Sequence, residues 1–512
     1  MKKIKLFALI FSALLTSSNV LAQSVGEVAR YASEQLNGTA RYQAMGGAFG
    51  ALGGDLSSIS NNPAGSSVFA FNEAGATMGV QSFSTDANYL GGFSNAEKSS
   101  FDISQAGFVL VLANPSSKWD KVAFGFNTQT VNNFDKNRYA QGINNKNGLV
   151  DYFSEMGNIT LDNDIPNSDF NLSNSQDYEY SYWGREVGQY AQHAYMALDT
   201  RLIEYFEPDN ALPYYGYYDS KTGGIDQFLE LNTTGGKQVY NLNFSGRYMK
   251  KLSLGFNINI YAIDYAESKH TSDLYNDNAS FLHQVDFVQD LNTFGTGVSF
   301  QFGAIFKATD LLRLGLNYTS PTYYELEDEY SESLDVRYNE TFEGRNARFI
   351  SPNVINIVDP YKFKTAGKVQ GSAALVLGKR GILSVDYGKK NYAASSVKLP
   401  YAEDTNALNS DINKTLDDAT YLRVGGEGRI GDLSLRAGYW QEQSPYKNKV
   451  IMDDFSGFSL GMGIRFGSGS LDLAYTKSTQ EYAQQLYYTG LTDSASINEN
   501  AGQVVLTYNV RF

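Results

Sequence analysis

The chain has 512 residues, with 41 lysines and arginines against 55 aspartates and glutamates, a formal charge of −14, and no cysteine. An acidic balance without a basic stripe excludes a nucleic-acid role, and the absence of thiols excludes disulfide-stapled folds and thiolate chemistry. Its 48 glycines, 37 tyrosines and 31 phenylalanines beside 10 prolines, at a mean hydropathy of −0.34, suit strands that are apolar on one side only.

In chain order, Lys2, Lys3 and Lys5 precede an apolar run Leu6–Leu15 and then Val20-Leu21-Ala22. This is the pattern of a secretory signal peptide over residues 1–22, cut after Ala22. Its removal takes three positive charges and moves the formal charge from −14 to −17. The run is too short for a spanning helix, and no later stretch offers the ~20 consecutive apolar residues one needs.

Residues 23–70 do not read as strands. They hold Met45-Gly46-Gly47-Ala48-Phe49-Gly50-Ala51-Leu52-Gly53-Gly54, a density of small residues suited to tight packing inside a lumen. Asn62-Pro63-Ala64 follows: Pro fixes φ, Asn bonds local backbone, and Ala leaves room.

From residue 75 onward, segments alternate with a period of two. Fourteen are expected, near 75–86, 99–113, 121–134, 237–250, 252–266, 293–307, 311–329, 363–378, 382–391, 420–430, 433–441, 456–466, 470–479 and 503–512. In the last of these, Val504, Leu506, Tyr508, Val510 and Phe512 share one face. Short connections alternate with long ones. If residue 75 starts upward from the periplasm, every short turn and the C-terminus fall on the periplasmic side. The expectation is an all-β, fourteen-stranded antiparallel transmembrane barrel over residues 71–512. A long external insertion near 135–236 contains a helix at Tyr190–Glu207, whose Tyr195, Leu198, Leu202, Ile203 and Phe206 have helical spacing.

Gly38–Phe49, including Gly46 and Gly47, followed by Asn61-Asn62-Pro63-Ala64-Gly65, resembles the hatch of the FadL/TodX family, in its Bacteroidetes-type members. The resemblance implies a barrel plugged by an N-terminal hatch (residues 23–70) in a Gram-negative outer membrane. It implies passive uptake of long-chain fatty acids or other hydrophobic compounds, with loop capture, an apolar lumen pocket and release past the hatch or through the wall. In the family the Asn-Pro-Ala motif sits beside a kink in the third strand. Here Asn127, Asn132 and Asn133 interrupt that strand, but no Gly or Pro marks a kink. The expected partners are a fatty-acid-like ligand, outer-membrane lipid and lipopolysaccharide, and the barrel assembly machinery. The chain is expected to act as a monomer without cofactor or metal.

Facing and direction place Arg247, Arg313, Arg429, Arg436, Arg465 and Arg511 on the lumen side near the periplasmic end. Such a ring would pair with the hatch acids Glu27, Glu34 and Asp55, or bind a ligand carboxylate, since guanidinium presents a fork to carboxylates. His193, His270 and His283 are expected in external loops, with no spacing that supports a haemin receptor. Gly457–Gly461 matches Gly-x-Ser-x-Gly inside a strand rather than at the strand-to-helix turn catalysis requires, so no enzyme is expected. The acids of Glu325–Glu329 read as a solvated rim beside a loop. Aromatic clusters at 213–218 and 486–488 read as a capture surface, an interfacial girdle or loop packing. The alternative function is a structural or adhesive barrel with a closed lumen.

Overall fold

Period-two alternation puts one face of each strand into the lumen and one outward, and the ring of strands is closed. The computed structural model describes residues 24–162, 188–205, 214–216, 223–277, 280–342, 344–351, 356–400 and 402–512, so the expected signal peptide lies outside the described residues. The strands are β1 Glu73–Tyr89, β2 Gly92–Ala113, β3 in two pieces (Trp119–Asn133 and Lys136–Asn144), β4 Ile225–Tyr248, β5 Leu252–Tyr275 and β6 Leu282–Lys307. Then come β7 (Leu312–Thr319 and Tyr323–Phe342), β8 (Asn356–Lys364 and Lys368–Val376), β9 Gly381–Asn391 and β10 Asp418–Ile430. The last four are β11 Leu433–Glu442, β12 Phe455–Phe466, β13 Gly469–Gln485 and β14 Ser494–Arg511. Each pairs antiparallel with its neighbours, and β14 returns to β1 with Val510 opposite Ala74 and Leu506 opposite Met78, closing a fourteen-stranded barrel.

Outward-facing Phe300, Phe302, Leu316, Tyr439, Leu460, Met462 and Tyr508 are exposed, while Val505 and Thr507 between them on β14 are buried. An exposed apolar band of this extent fits hydrocarbon better than water.

Several strands run far beyond the expected bounds. β4 begins at Ile225, β6 at Leu282 and β14 at Ser494, each about ten residues earlier. These extensions carry Asp226, Glu230, His283, Asp286 and Glu499, because outside the hydrocarbon nothing enforces an apolar outer face. One expectation changes as a result: His270 lies on β5 and His283 on β6, not in loops, while Glu325–Glu329 stays on a strand, the second piece of β7, which runs on to Phe342. The expected single strand at 311–329 is broken around Pro321, and the one at 363–378 around Gly367.

The expected helix at Tyr190–Glu207 is shorter. It runs over Gly188–Asp199 and ends where Arg201 adopts φ 54° and the Leu202 amide bonds the Ala197 carbonyl oxygen at 2.8 Å, a left-handed cap without its usual Gly. Ile203–Tyr205 then pairs with Tyr214–Gly216, so the aromatic run at 213–218 is partly a strand; Pro213, Tyr217 and Tyr218 lie outside the described residues. A second helix, Leu149–Asp162, packs beside it, and together they bury Phe153, Met156 and Met196 against Val285, Phe287 and Leu334 of the strand extensions. Leu486 and Tyr487 are buried in this roof, with Tyr487 4.2 Å from the Tyr152 ring centroid, as loop packing.

Residues 24–70 lie inside the ring. They form α1 Val25–Ala32, α2 Ala40–Ala44, α3 Ser58–Asn61 and a 3-10 turn Pro63–Val68, and they bond to strands on every side of the barrel.

Candidate functional site: the lumen segment, the wall gap and the cavity between them

The glycine-rich run places two residues where a side chain is disfavoured: Gly46 and Gly47 have φ of 60° and 73°. That turn presses Met45 and Gly46 onto β10 and β11, where a Cβ on Gly425 or Gly438 would collide with their backbone. Ser459, the serine of the Gly-x-Ser-x-Gly match, accepts from the Gly46 amide at 3.2 Å. In this barrel the pattern is a docking cushion.

Asn62 is fully buried, and its Oδ1 accepts from the Ala64 amide at 3.1 Å, starting the 3-10 turn with Pro63 at its first position. Its Nδ2 donates to the Gly50 carbonyl at 2.7 Å and to the Ala304 carbonyl of β6 at 3.2 Å. Asn61 and the Gly50 amide both reach Asp386 of β9, each at 3.0 Å. Around residues 59–66 the contacts with β4, β5 and β6 are between neutral groups: Asn243 Nδ2 donates to the Pro63 carbonyl at 2.9 Å, Asn257 Nδ2 to Ile59 at 2.9 Å and Gln301 Nε2 to Ser60 at 3.0 Å.

Arg313, Arg429, Arg436, Arg465 and Arg511 line one cavity at the turn end, Arg247 is not among its lining residues, and the partners of these arginines are mostly on the strands. Arg313 Nη1 donates to the Leu52 carbonyl of the lumen segment at 2.9 Å. Arg429 and Arg436 hold Glu427 of β10 through their Nε atoms at 2.6 and 2.7 Å, and Arg436 also reaches Asp472 at 2.6 Å. Arg511 pairs with Glu73 at 3.0 Å, Arg247 with Asp120, and Arg465 stands 3.9 Å from Asp432. The lumen segment contributes a cation rather than an acid here: Arg41 Nε meets Glu427 at 2.9 Å.

Two of the three acids, Glu27 and Glu34, lie elsewhere, and Asp55 borders the arginine cavity but is bonded within its own segment. Glu27 closes a capping box with Ser24 at the start of α1. Asp55 accepts from Thr39 Oγ1 at 2.7 Å and the Ser57 amide at 3.0 Å, within the segment itself. Glu34 meets Lys368 of β8 at 3.0 Å and Lys390 of β9 at 3.7 Å. Burial opposes its ionisation, but the ammonium groups of Lys368, Lys390 and Lys237 outweigh it and hold the carboxyl well below the usual range. Among the described residues no arginine of the expected ring bonds one of these three acids, because the alternation pattern fixes a residue's face and not its partner.

The wall has a gap. β2 and β3 pair from Ala113↔Lys121 to Gln105↔Gln129 and no further. β3 then bulges between Thr130 and Asn132, breaks at Phe134-Asp135, and continues paired only with β4. Its second piece turns inward, where the Asn137 carbonyl accepts from lumen-facing Thr85 of β1 at 3.0 Å. Asn133 makes the bend by accepting from the Asp135 amide at 2.7 Å, doing locally what a Gly or Pro was expected to do. The freed edge of β3 is satisfied by the lumen segment: the Gln35 amide donates to the Val131 carbonyl at 2.9 Å, and Gln35 Oε1 accepts from the Asn133 amide at 3.1 Å. No backbone pair spans the gap; Thr130 meets Asp102 at 2.7 Å, Asn133 meets Ser100 at 3.1 Å, and Lys98 of β2 reaches past the bend to the Thr233 carbonyl of β4 at 3.0 Å.

A cavity of about 440 Å³ opens beside this bend. It is bounded by Ala29, Arg30, Ser33 and Gln35 of the lumen segment, Asn132 and Phe134 at the bend, and Tyr265, Tyr446, Ile451, Met452 and Phe455 beyond. Its charges are paired, Arg30 with Glu267 at 3.4 Å and Lys136 with Glu499 at 2.6 Å. Lys269 lies 3.6 Å from the Tyr487 ring centroid and donates to the Leu486 carbonyl.

No family model and no curated protein matches this chain. Solved structures do. One is a crystal structure of a Pseudomonas aeruginosa FadL homologue, 13% identical, spanning 94% of this chain and 100% of that one with a TM-score of 0.54. A second is the P. putida toluene transporter TodX, 14% identical, spanning 93% of this chain and 99% of that one with a TM-score of 0.51. The fold is the FadL/TodX fold. In this FadL-type barrel the residues that position the lumen segment beyond the Asn-Pro-Ala motif, namely Gln35, Asp386, Glu427 and the glycines 425 and 438, were not singled out by sequence. The one available signal was a lumen face of glycines on adjacent strands.

Proposed function

We propose that this protein is an outer-membrane channel for passive uptake of hydrophobic small molecules, fatty acids among them. A ligand taken in from the outer side occupies the cavity between the lumen segment and the bend of β3. It leaves sideways between β2 and β3. The observation that carries this reading is the end of β2–β3 pairing at Gln105↔Gln129, directly beside a cavity lined by both the bend and the lumen segment. An unpaired strand edge at membrane depth is costly unless it borders a protein-lined space. The cavity falls within the ~300–1,000 Å³ range of pockets that enclose small ligands. The transport named for TodX fits such a path.

A closed structural barrel remains the rival, favoured by the buried roof of Phe153, Met196 and Phe287 and by the paired charges of the lumen. Ser100→Cys with Asn133→Cys tests both readings, because the chain has no native cysteine and these side chains already meet. In proteoliposomes, uptake of a labelled long-chain fatty acid and of toluene should fall at least about tenfold on oxidation and recover with reductant. Equal uptake in both redox states would remove the lateral route; no uptake in either state, with wild type equally inactive, would leave the structural barrel.

A further inference from the structure

We propose that the cavity at the turn end of the barrel, under the lumen segment, is a binding site for phosphate or a phosphomonoester, received by Arg313 and Arg465. The cavity has a volume of about 290 Å³. Six guanidinium groups line it, those of Arg41, Arg313, Arg429, Arg436, Arg465 and Arg511. Four carboxylates face them: Asp55, Glu73 and Asp472 in the wall, and Glu427 bonded to three of the arginines. The surplus is two positive charges, in a protein whose formal charge is −14.

The surplus can be assigned to particular residues. Arg41, Arg429, Arg436 and Arg511 each have a carboxylate within 3.0 Å. Among the described residues, Arg313 bonds only the neutral Leu52 carbonyl. Arg465 approaches only Asp432, at 3.9 Å, a carboxylate whose side chain is 76% exposed to solvent. Arg313 without a carboxylate and Arg465 with only a distant, solvent-exposed one face the same cavity, and such a pair of forks suits a tetrahedral oxyanion, which offers paired oxygens to each.

Size and wall chemistry select among anions. A water molecule occupies about 30 Å³ of liquid, so the cavity holds on the order of ten waters. That is ample for a phosphate with its first waters, and a wall of guanidinium and carboxylate groups disfavours an apolar ligand. The site is also separated from the cavity beside β3 by the segment itself, so it stands whether or not the transport reading does.

The test uses the full mature protein in uncharged detergent at low ionic strength, with inorganic phosphate as the probe in calorimetric and ³¹P line-width titrations. Saturable binding is expected, weakened about tenfold or more by Arg313→Gln and by Arg465→Gln, in line with loss of a charge-assisted contact. Arg465 is half-exposed, so its variant should keep the barrel, verified by heat-modifiable gel migration. Glycerol phosphate and octanoate are titrated in parallel. Tighter binding of glycerol phosphate than of inorganic phosphate identifies the esterified source, and the reverse the free ion. The proposal is overturned if phosphate shows no saturation, if neither variant weakens it, or if octanoate displaces it at lower concentration.

Discussion

Arg41 is the one cation that the lumen segment lends to the basic cluster, and its removal gives a measurable loosening. Its side chain is 16% exposed and faces Glu427, whose side chain is fully buried. Arg41→Met removes the bond to Glu427 at 2.9 Å and a second to the Gly54 carbonyl at 3.0 Å. Breaking a buried ion pair costs about 3–5 kcal/mol when the remaining charge is stranded. Here Glu427 keeps Arg429 and Arg436, so the lower end applies, about 3 kcal/mol. At 1.4 kcal/mol per factor of ten, amides of residues 39–47 should exchange roughly 150-fold faster. Glu427→Gln should do at least as much, since it also strands charge on Arg429. The assay is hydrogen-exchange mass spectrometry on the full protein, where exchange of the segment reports local opening. Protection changing less than about threefold in Arg41→Met, where ~150-fold is expected, would refute the view that this pair holds the segment.

Two further perturbations probe the same docking. Gly438→Ala drives a Cβ into the backbone of Met45 and Gly46, whereas Gly371→Ala, with open space around it, should be silent. Exchange of the Gly46 region should rise in the first by about 1–3 kcal/mol of lost protection, and not in the second. Glu34 supplies a pH signature. Its lowered carboxyl stabilises docking above the unfolded value of about 4.3 and loses that contribution as pH falls through the lower folded one. The protection gap between wild type and Glu34→Gln should therefore be open at neutral pH and close only below about 4; a gap that stays constant into strong acid would contradict the pairing with Lys368.

The barrel was legible in the sequence because hydrocarbon imposes a rule on every residue that crosses it. Leu460, Met462 and Ile464 must face out, and Ser459 and Gly461 must face in, so face and strand number follow from spacing. Outside the hydrocarbon the rule lapses, and the polar extensions of β4, β6 and β14 were read as loops. Inside the lumen it lapses differently. Facing says nothing of partners: Glu34 met lysines while Glu427, on a strand, collected Arg41, Arg429 and Arg436. Which charges meet is decided by where residues 24–70 lie in three dimensions. The bend of β3 was hidden because an Asn side chain and a Gln from a distant segment replaced the expected Gly or Pro.

The two exits open to a ligand differ in what must break. Displacing the lumen segment means losing the Arg41–Glu427 pair, the Asn62 bonds to Gly50 and Ala304, the Asp386 contacts, and the amide ladder from Asn243, Asn257 and Gln301. At about 0.5–1.5 kcal/mol for each neutral bond and more for the charged ones, the whole set is of order 10 kcal/mol. Widening the gap parts the Thr130–Asp102, Asn133–Ser100 and Lys98–Thr233 contacts, a few kcal/mol, because no backbone ladder crosses there. On the proposed uptake path, a difference of that size would favour sideways release by several powers of ten. It also gives the lumen segment a role other than a removable plug. Gln35 occupies the backbone positions that β2 leaves vacant on β3, so the docked segment holds the bend open. Gln35→Gly should then let β3 relax toward β2 and slow uptake while leaving the barrel intact. Faster uptake in that variant would point instead to the segment as the barrier.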